Sequence, residues 1–170
     1  FGAAITQTLK EEADRRSIFI RTPPLVSIVV PCFNYGRYIP DLMASLLGGN
    51  TSLGRMTGQT FQGFEVILVD DASTDDSLQI MERYENPGAG VHVLRLERNL
   101  GTAGAINAGV RASYGKYIEV MGSDDMLEPT FLERMLEESE AHPHSLVYCD
   151  STAFAHGRRL SAWRLSDYDF

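Results

Sequence analysis

The sequence predicts an α/β fold with a mostly parallel sheet and helices on both faces. From Leu25 onward, short β-branched runs alternate with amphipathic stretches of helical period, the pattern of repeated βαβ units. The strand candidates are apolar on consecutive residues rather than alternate ones, as expected when both sides of a strand are covered. Polar and aromatic clusters recur directly after the strands, and in an open parallel sheet that edge is where ligands bind.

The elements follow in order. Residues 1–24 are expected to be a linker or the tail of a preceding element: a polar, helix-compatible stretch from Thr8 to Arg16 leads to Arg21-Thr22-Pro23-Pro24, where two prolines punctuate the chain. Residues 25–170 are expected to be one domain. Strands are predicted at Val26–Pro31, Phe64–Val69, Val91–Leu96, Tyr117–Met121 and Leu146–Cys149. Helices are predicted at Tyr38–Leu47, Asp75–Tyr84, Thr102–Ala112 and Pro129–Ala141, the last with a proline suited to a first helical turn. Gly48–Gly63 is longer than the roughly two to six residues of an αβ loop, and its five glycines suggest a mobile surface insertion. The chain has no repeat of solenoid period and no low-complexity tract.

With 170 residues, 44% hydrophobic and 22% charged, the chain suits a globular domain with a real core. Its net charge of −8 disfavours a nucleic acid or an anionic membrane as partner. Cys32 and Cys149 lie far apart, without CxxC or Cys/His ligand spacing, and both are expected to be reduced core residues. No apolar run reaches the length of a membrane span, and the first residues lack the layout of a signal peptide. The expected location is cytoplasmic, with membrane association through other regions left open.

Four clusters follow the strands: Pro31-Cys32-Phe33-Asn34-Tyr35-Gly36, Asp70-Asp71-Ala72-Ser73, Arg98-Asn99-Leu100-Gly101 and Gly122-Ser123-Asp124-Asp125. Helix capping explains an acid followed by hydroxyl residues, since a short oxygen side chain satisfies free amides of a first turn. Capping needs only one such residue, however, and here two carboxylates stand together twice. Like charges that close need an offsetting cation or donor. Two pairs at one sheet edge point to a hard divalent cation with oxygen ligands, Mg²⁺ or Mn²⁺, of the kind that bridges phosphates. Phe33 and Tyr35 suit either packing or a flat surface for a nucleobase, a contact worth about 1–3 kcal/mol in nucleic-acid systems. Gly101-Thr102-Ala103-Gly104 lacks full GxGxxG spacing, and Walker-A and GxSxG sequences are absent. His92, His142, His144 and His156 form no metal-binding pair on one helix face.

Read in order, Val26-Ser27-Ile28-Val29-Val30-Pro31-Cys32-Phe33-Asn34, the run from Gln59 through Asp70-Asp71-Ala72-Ser73-Thr74-Asp75, Arg98-Asn99-Leu100-Gly101 and Gly122-Ser123-Asp124-Asp125 closely resemble the family-2 inverting glycosyltransferases. The resemblance runs from about Leu25 to Arg159 and implies the Rossmann-like GT-A fold. It implies that Pro31 and Phe33 hold the base, usually uracil, that Asp71 accepts a hydrogen bond from it, and that Gly101 lies in the loop along the nucleotide. Asp124 matches the last aspartate of the DxD motif, which binds the metal bridging the donor's phosphates, and Asp125 assists. Three positions depart from the family: Gly122 replaces the first aspartate of DxD, Ile106 replaces an arginine before Asn107, and the Gly48–Gly63 segment is an insertion. No catalytic base is assigned, because the acceptor half of such enzymes lies beyond the matched stretch.

The resemblance implies a metal-dependent transferase of polysaccharide biosynthesis. It would move a sugar from a nucleoside diphosphate, UDP above all, to a hydroxyl of a carbohydrate or lipid-linked acceptor, with inversion. One alternative is a non-catalytic sugar-nucleotide-binding or interaction module, which Gly122 favours. Another is a nucleotidyltransferase, against which stands the lack of a glycine-rich loop with a basic residue after the first strand.

Overall fold

The computed structural model describes residues 23–155 and 158–163. The expected linker at residues 1–24 lies outside them except for Pro23 and Pro24. The strands are β1 (Val26–Cys32), β2 (Gly49–Thr51), β3 (Gly54–Met56), β4 (Phe64–Asp70), β5 (Val91–Arg95), β6 (Tyr117–Val120), β7 (Ser151–Ala155) and β8 (Arg158–Trp163). The helices are α1 (Ile39–Leu47), α2 (Ser77–Glu82), α3 (Gly101–Ala112) and α4 (Phe131–Ala141). The described residues divide into two units, one running to Ile39 and from Gln62 to Asp125, the other from Pro40 to Phe61 and from Met126 onward.

The first unit holds the central sheet, wholly parallel and ordered β5-β4-β1-β6. The chain builds outward from β1 through β4 to β5, then returns to the other side of β1 with β6. That reversal is the topological switch point at which α/β sheets bind ligands. Ile28, Val29, Val30, Val66, Leu68 and Val69 have no solvent exposure, which explains their unbroken apolar runs. α3 packs on β1 and β4, and α2 packs on β4 and β5, so helices flank the sheet as expected. At Gly109 a Cβ would come within 2.4 Å of Val29 Cγ1, so only glycine lets α3 lie this close to the strands.

A buried carboxylate closes the amino-terminal edge of this sheet. Glu65 Oε1 accepts hydrogen bonds from Ser27 Oγ at 2.5 Å and from the Tyr114 N–H at 2.7 Å, and Ser27 Oγ accepts one from the Gly115 N–H at 2.7 Å. The link between α3 and β6 is thereby tied to β1 and β4. His92 Nε2 lies 3.8 Å from Glu65 Oε2, with both side chains buried.

The second unit contains α1 past Ile39, the β2–β3 hairpin, α4 and the β7–β8 hairpin. The Gly48–Gly63 segment, expected as a surface insertion, carries regular structure. Its first part pairs as an antiparallel hairpin, and its second part buries Gln59. Gln59 Nε2 donates to the Ser45 and Glu128 carbonyls at 3.2 and 2.9 Å, and its Oε1 accepts the Leu132 N–H at 3.2 Å. One amide thus joins α1, the Met126–Pro129 segment and α4.

Two further expectations are corrected. Leu146–Cys149 forms no strand: Leu146 is 90% exposed, and Cys149 is exposed rather than a core residue, so this apolar run does not lie in a covered sheet. The strand pairing falls instead on β7 and β8, antiparallel neighbours separated by His156-Gly157.

Candidate functional site

Since β1 lies between β4 and β6, the segments that leave these three strands are neighbours at the carboxyl edge of the sheet. Cys32 pairs with Asp70, and the Asp71 N–H continues the ladder to the Cys32 carbonyl at 2.9 Å. On the other side the Met121 N–H reaches the Val29 carbonyl at 3.2 Å, after which Gly122–Asp125 turn away.

The acidic run after β4 divides its labour. Asp70 Oδ1 accepts the Ser73 N–H at 3.2 Å, and Asp75 Oδ1 accepts the Ser77 N–H at 2.9 Å, so Asp75 holds the start of α2. The hydrogen bonds from Ser77 also lower the pKa of Asp75 below the ordinary carboxylate value. Asp71 does not serve α2. It is buried, and its Oδ1 accepts the Leu100 N–H at 2.7 Å, joining the end of β4 to the residue that begins α3. Local turn bonding therefore accounts for Asp70 and Asp75, whereas Asp71 serves the strand-end edge.

The loops after β1 and β4 are clasped by Asn34, which motif reading did not single out. Its Oδ1 accepts the Thr74 N–H at 2.8 Å, and its own N–H donates to Ser73 Oγ at 3.1 Å. Asn34 and Ala72 both take left-handed backbone, with φ of 57° and 59°. For Ala72 this conformation costs about 1–2 kcal/mol. Asn34 could have been suspected from its type, since asparagine tolerates that region.

Pro31 is half-buried on β1, opposite Val69. Phe33 follows β1 directly, is 44% exposed and has no ring contact among the described residues. Tyr35 is otherwise engaged: its ring lies 5.3 Å from that of Tyr38, and the Arg37 guanidinium sits over both, 4.7 Å from Tyr38 and 5.9 Å from Tyr35. Of the two aromatics, Phe33 is the one that offers a vacant face. Gly101 opens α3 with φ of +72°, its N–H bound by Asn99 Oδ1 at 2.9 Å, and a Cβ there would meet nothing within 4 Å.

After β6, Asp125 Oδ2 accepts the Gly122 N–H at 3.1 Å, and both Asp124 and Asp125 are exposed. A Cβ on Gly122 would stand 2.8 Å from Asp125 Oδ2 and 3.0 Å from Asp124 Oδ1, so both carboxylates turn toward the gap that glycine leaves. Partial desolvation raises the pKa of Asp125, the Gly122 N–H opposes the rise, and the charge of Asp124 adds to it. Two hard oxygen donors that repel one another suit a divalent cation. Among the described residues no three acidic, histidine or cysteine side chains converge, so any such cation would complete its shell from ligand or water oxygens. Cys32 joins the two halves of this edge: it is buried, with Ser123 and Ser77 as hydrogen-bonding neighbours, and burial raises its thiol pKa.

Comparisons with known proteins agree with this geometry. A family model described as Glycosyl transferase family 2 matches residues 27–168. The glycosyltransferase GlyG of Streptococcus pneumoniae is 34% identical over 72% of this chain and 38% of its own length. The chondroitin synthase of Escherichia coli is 35% identical over 72% of this chain and 16% of its own. The chain thus spans well under half the length of either relative. Among solved structures, S. aureus TarS 1-349 in complex with UDP superposes with a TM-score of 0.56 at 32% identity, over 69% of this chain and 32% of that one. The same protein in complex with UDP-GlcNAc gives 0.55 at 31% identity, over 69% and 31%. No described helix is long and apolar enough to cross a membrane.

Proposed function

We propose, from the premise that this chain belongs to glycosyl transferase family 2, that its first unit is the donor site of a transferase. The enzyme takes a sugar from a nucleoside diphosphate sugar, a UDP-sugar, and passes it with inversion to a hydroxyl of a carbohydrate or lipid-linked acceptor. The observation that carries this reading is the placement of Asp71, which links the end of β4 to the start of α3 at the switch point. The UDP and UDP-GlcNAc complexes of TarS support the choice of nucleotide.

In this reading Phe33 stacks on the base, with Pro31 beside it as backbone support. Asp71 presents its remaining oxygen to the base, while its bond to Leu100 holds the loop of Gly101 along the nucleotide. Asp124 and Asp125 would hold Mg²⁺ or Mn²⁺. When bound, that cation would neutralise charge developing on the departing diphosphate. Buried Asp71, restrained at both its backbone and its side chain, needs little reordering when the nucleotide arrives. Residues 25–170 are proposed to be the nucleotide-sugar-binding part of the GT-A domain.

Calorimetric titration with UDP, with Mn²⁺ and after chelation, tests the assignment. Metal-dependent binding that Asp124→Ala and Asp71→Ala both weaken supports it; equal affinity with and without metal removes the carboxylate pair from the mechanism. Gly122 favours a rival, a non-catalytic sugar-nucleotide-binding module. Slow UDP-sugar hydrolysis by the wild type, abolished by Asp124→Ala, would eliminate that rival.

A further inference from the structure

We propose that the second unit carries a ligand site of its own, for an amphipathic anion: a short apolar chain bearing a single phosphate or carboxylate. The inference goes beyond the donor reading, because it uses none of the donor residues.

Within this unit a cavity of about 310 Å³ opens between the β2–β3 hairpin, the Met126–Pro129 segment and β7. Its apolar lining comes from Leu53, Met56, Met126, Leu127, Pro129 and Phe154. An apolar cavity of about 150 Å³ accommodates benzene, so this one takes roughly a dozen carbon atoms. It also falls at the lower end of the range of small-molecule pockets, about 300–1,000 Å³.

Arg55 lines the same cavity, is exposed, and its side chain makes no ion pair or hydrogen bond among the described residues. In a chain of net charge −8, an arginine with no carboxylate partner among the described residues, beside an apolar wall, is set to meet an anion from outside. Glu128 also lines the cavity. Its acid disfavours a polyanion and restricts the head group to one anionic centre.

The walls are held before any ligand arrives. Gln59 Nε2 binds the Glu128 carbonyl at 2.9 Å, and the Leu127 N–H donates to Ser45 Oγ at 3.2 Å. On the hairpin, Thr51 Oγ1 donates to the Gly54 carbonyl at 2.7 Å, and the Ser52 N–H donates to Asp41 Oδ1 of α1 at 3.0 Å. This pocket depends on the inserted hairpin, which supplies Leu53, Arg55 and Met56.

The test titrates this chain with octyl phosphate, octanoate, octanol and inorganic phosphate, kept below micelle-forming concentrations. Saturable binding of octyl phosphate or octanoate is expected, with octanol and inorganic phosphate at least about tenfold weaker. Octyl phosphate and octanoate together decide which head group is preferred. Arg55→Gln is expected to weaken the preferred anion about tenfold while leaving octanol unchanged. Phe154→Ala is expected to weaken octanol and anion alike. Arg55 is exposed and its side chain is unpaired among the described residues, so its variant is expected to keep the fold, which thermal melting verifies. Absence of saturable anion binding, octanol binding as tightly as the anions, or an unchanged affinity in a folded Arg55→Gln variant would each overturn the proposal.

Discussion

Glu119 offers a quantitative test of how the sheet edge tolerates charge. It lies on β6 opposite Ile28 of β1, half-buried, and burial lifts its carboxyl from the ordinary 4.5 to about 7. The folded chain therefore keeps a proton that the unfolded chain releases near pH 4.5. Below that pH the group is protonated in both states and has no effect on stability. Between pH 4.5 and about 7 stability falls as pH rises, because ionising Glu119 costs more in the folded state; above about 7 the full penalty stands. At about 1.36 kcal/mol per pH unit the penalty reaches roughly 3 kcal/mol, and partial access to water reduces it to about 2 kcal/mol. Glu119→Gln keeps the shape and removes the charge. The variant is expected to be about 2 kcal/mol more stable than wild type at pH 8 and within about 0.5 kcal/mol of it at pH 4.5. Urea denaturation followed by circular dichroism measures this, as a midpoint shift of about 1 M at pH 8. An equal difference at both pH values, or none at pH 8, would refute the reasoning.

Three other outcomes are expected. Asp71→Ala removes the acceptor of the Leu100 N–H and should cost about 1.5–3 kcal/mol in unfolding free energy, while Asp71→Asn, which can still accept that bond, should cost less. Partial desolvation raises the pKa of Asp125 above the ordinary carboxylate value, against the opposing Gly122 N–H, and a cation needs its ionised form. Mn²⁺-dependent UDP affinity should therefore fall as pH drops through that raised value, and calorimetry across pH should find the dependence lost in Asp125→Asn. Glu65→Ala strands the buried donors of Ser27 and Tyr114 and should lower stability by about 3–5 kcal/mol, measured by chemical denaturation, with Glu65→Gln recovering part of the loss.

The central sheet was legible because burial on both faces leaves unbroken apolar runs. The expected Val26–Pro31 and Phe64–Val69 strands each gained only the residue that ends the ladder, Cys32 and Asp70. The expected helix Asp75–Tyr84 exceeds α2 by two residues at each end; at its start, Asp75 looks like part of the helix and instead holds it through Ser77. Periodicity failed where pairing decides. Leu146–Cys149 is apolar enough for a strand but takes no strand conformation, whereas Ser151–Ala155, less apolar, pairs with β8. The glycines of the Gly48–Gly63 segment read as mobility, and nothing local revealed that Gln59 would be buried by contacts some seventy residues away. At the site, the doubled aspartates could be seen in the sequence, but their division of labour depends on a bond from β4 to the start of α3.

That bond has a counterpart at the opposite edge. α3 is fastened at its amino end by Asp71 to the Leu100 N–H and just beyond its carboxyl end by Glu65 to the Tyr114 N–H. Both carboxylates belong to β4 or the residue after it, while Ala105 and Gly109 press the middle of the helix onto Val29 and Val69. A twelve-residue helix spans about 18 Å, so the two fastenings lie too far apart to share a partner, and their effects on stability should add within about 0.5 kcal/mol. Their effects on donor binding should differ. Only the Asp71 end lies at the switch point, so in folded variants Asp71→Ala should lower UDP affinity while Glu65→Gln lowers stability alone. If Glu65→Gln lowered UDP affinity as much as Asp71→Ala, α3 would be moving as a rigid lever, and the role of Asp71 would be to set the helix rather than to touch the base.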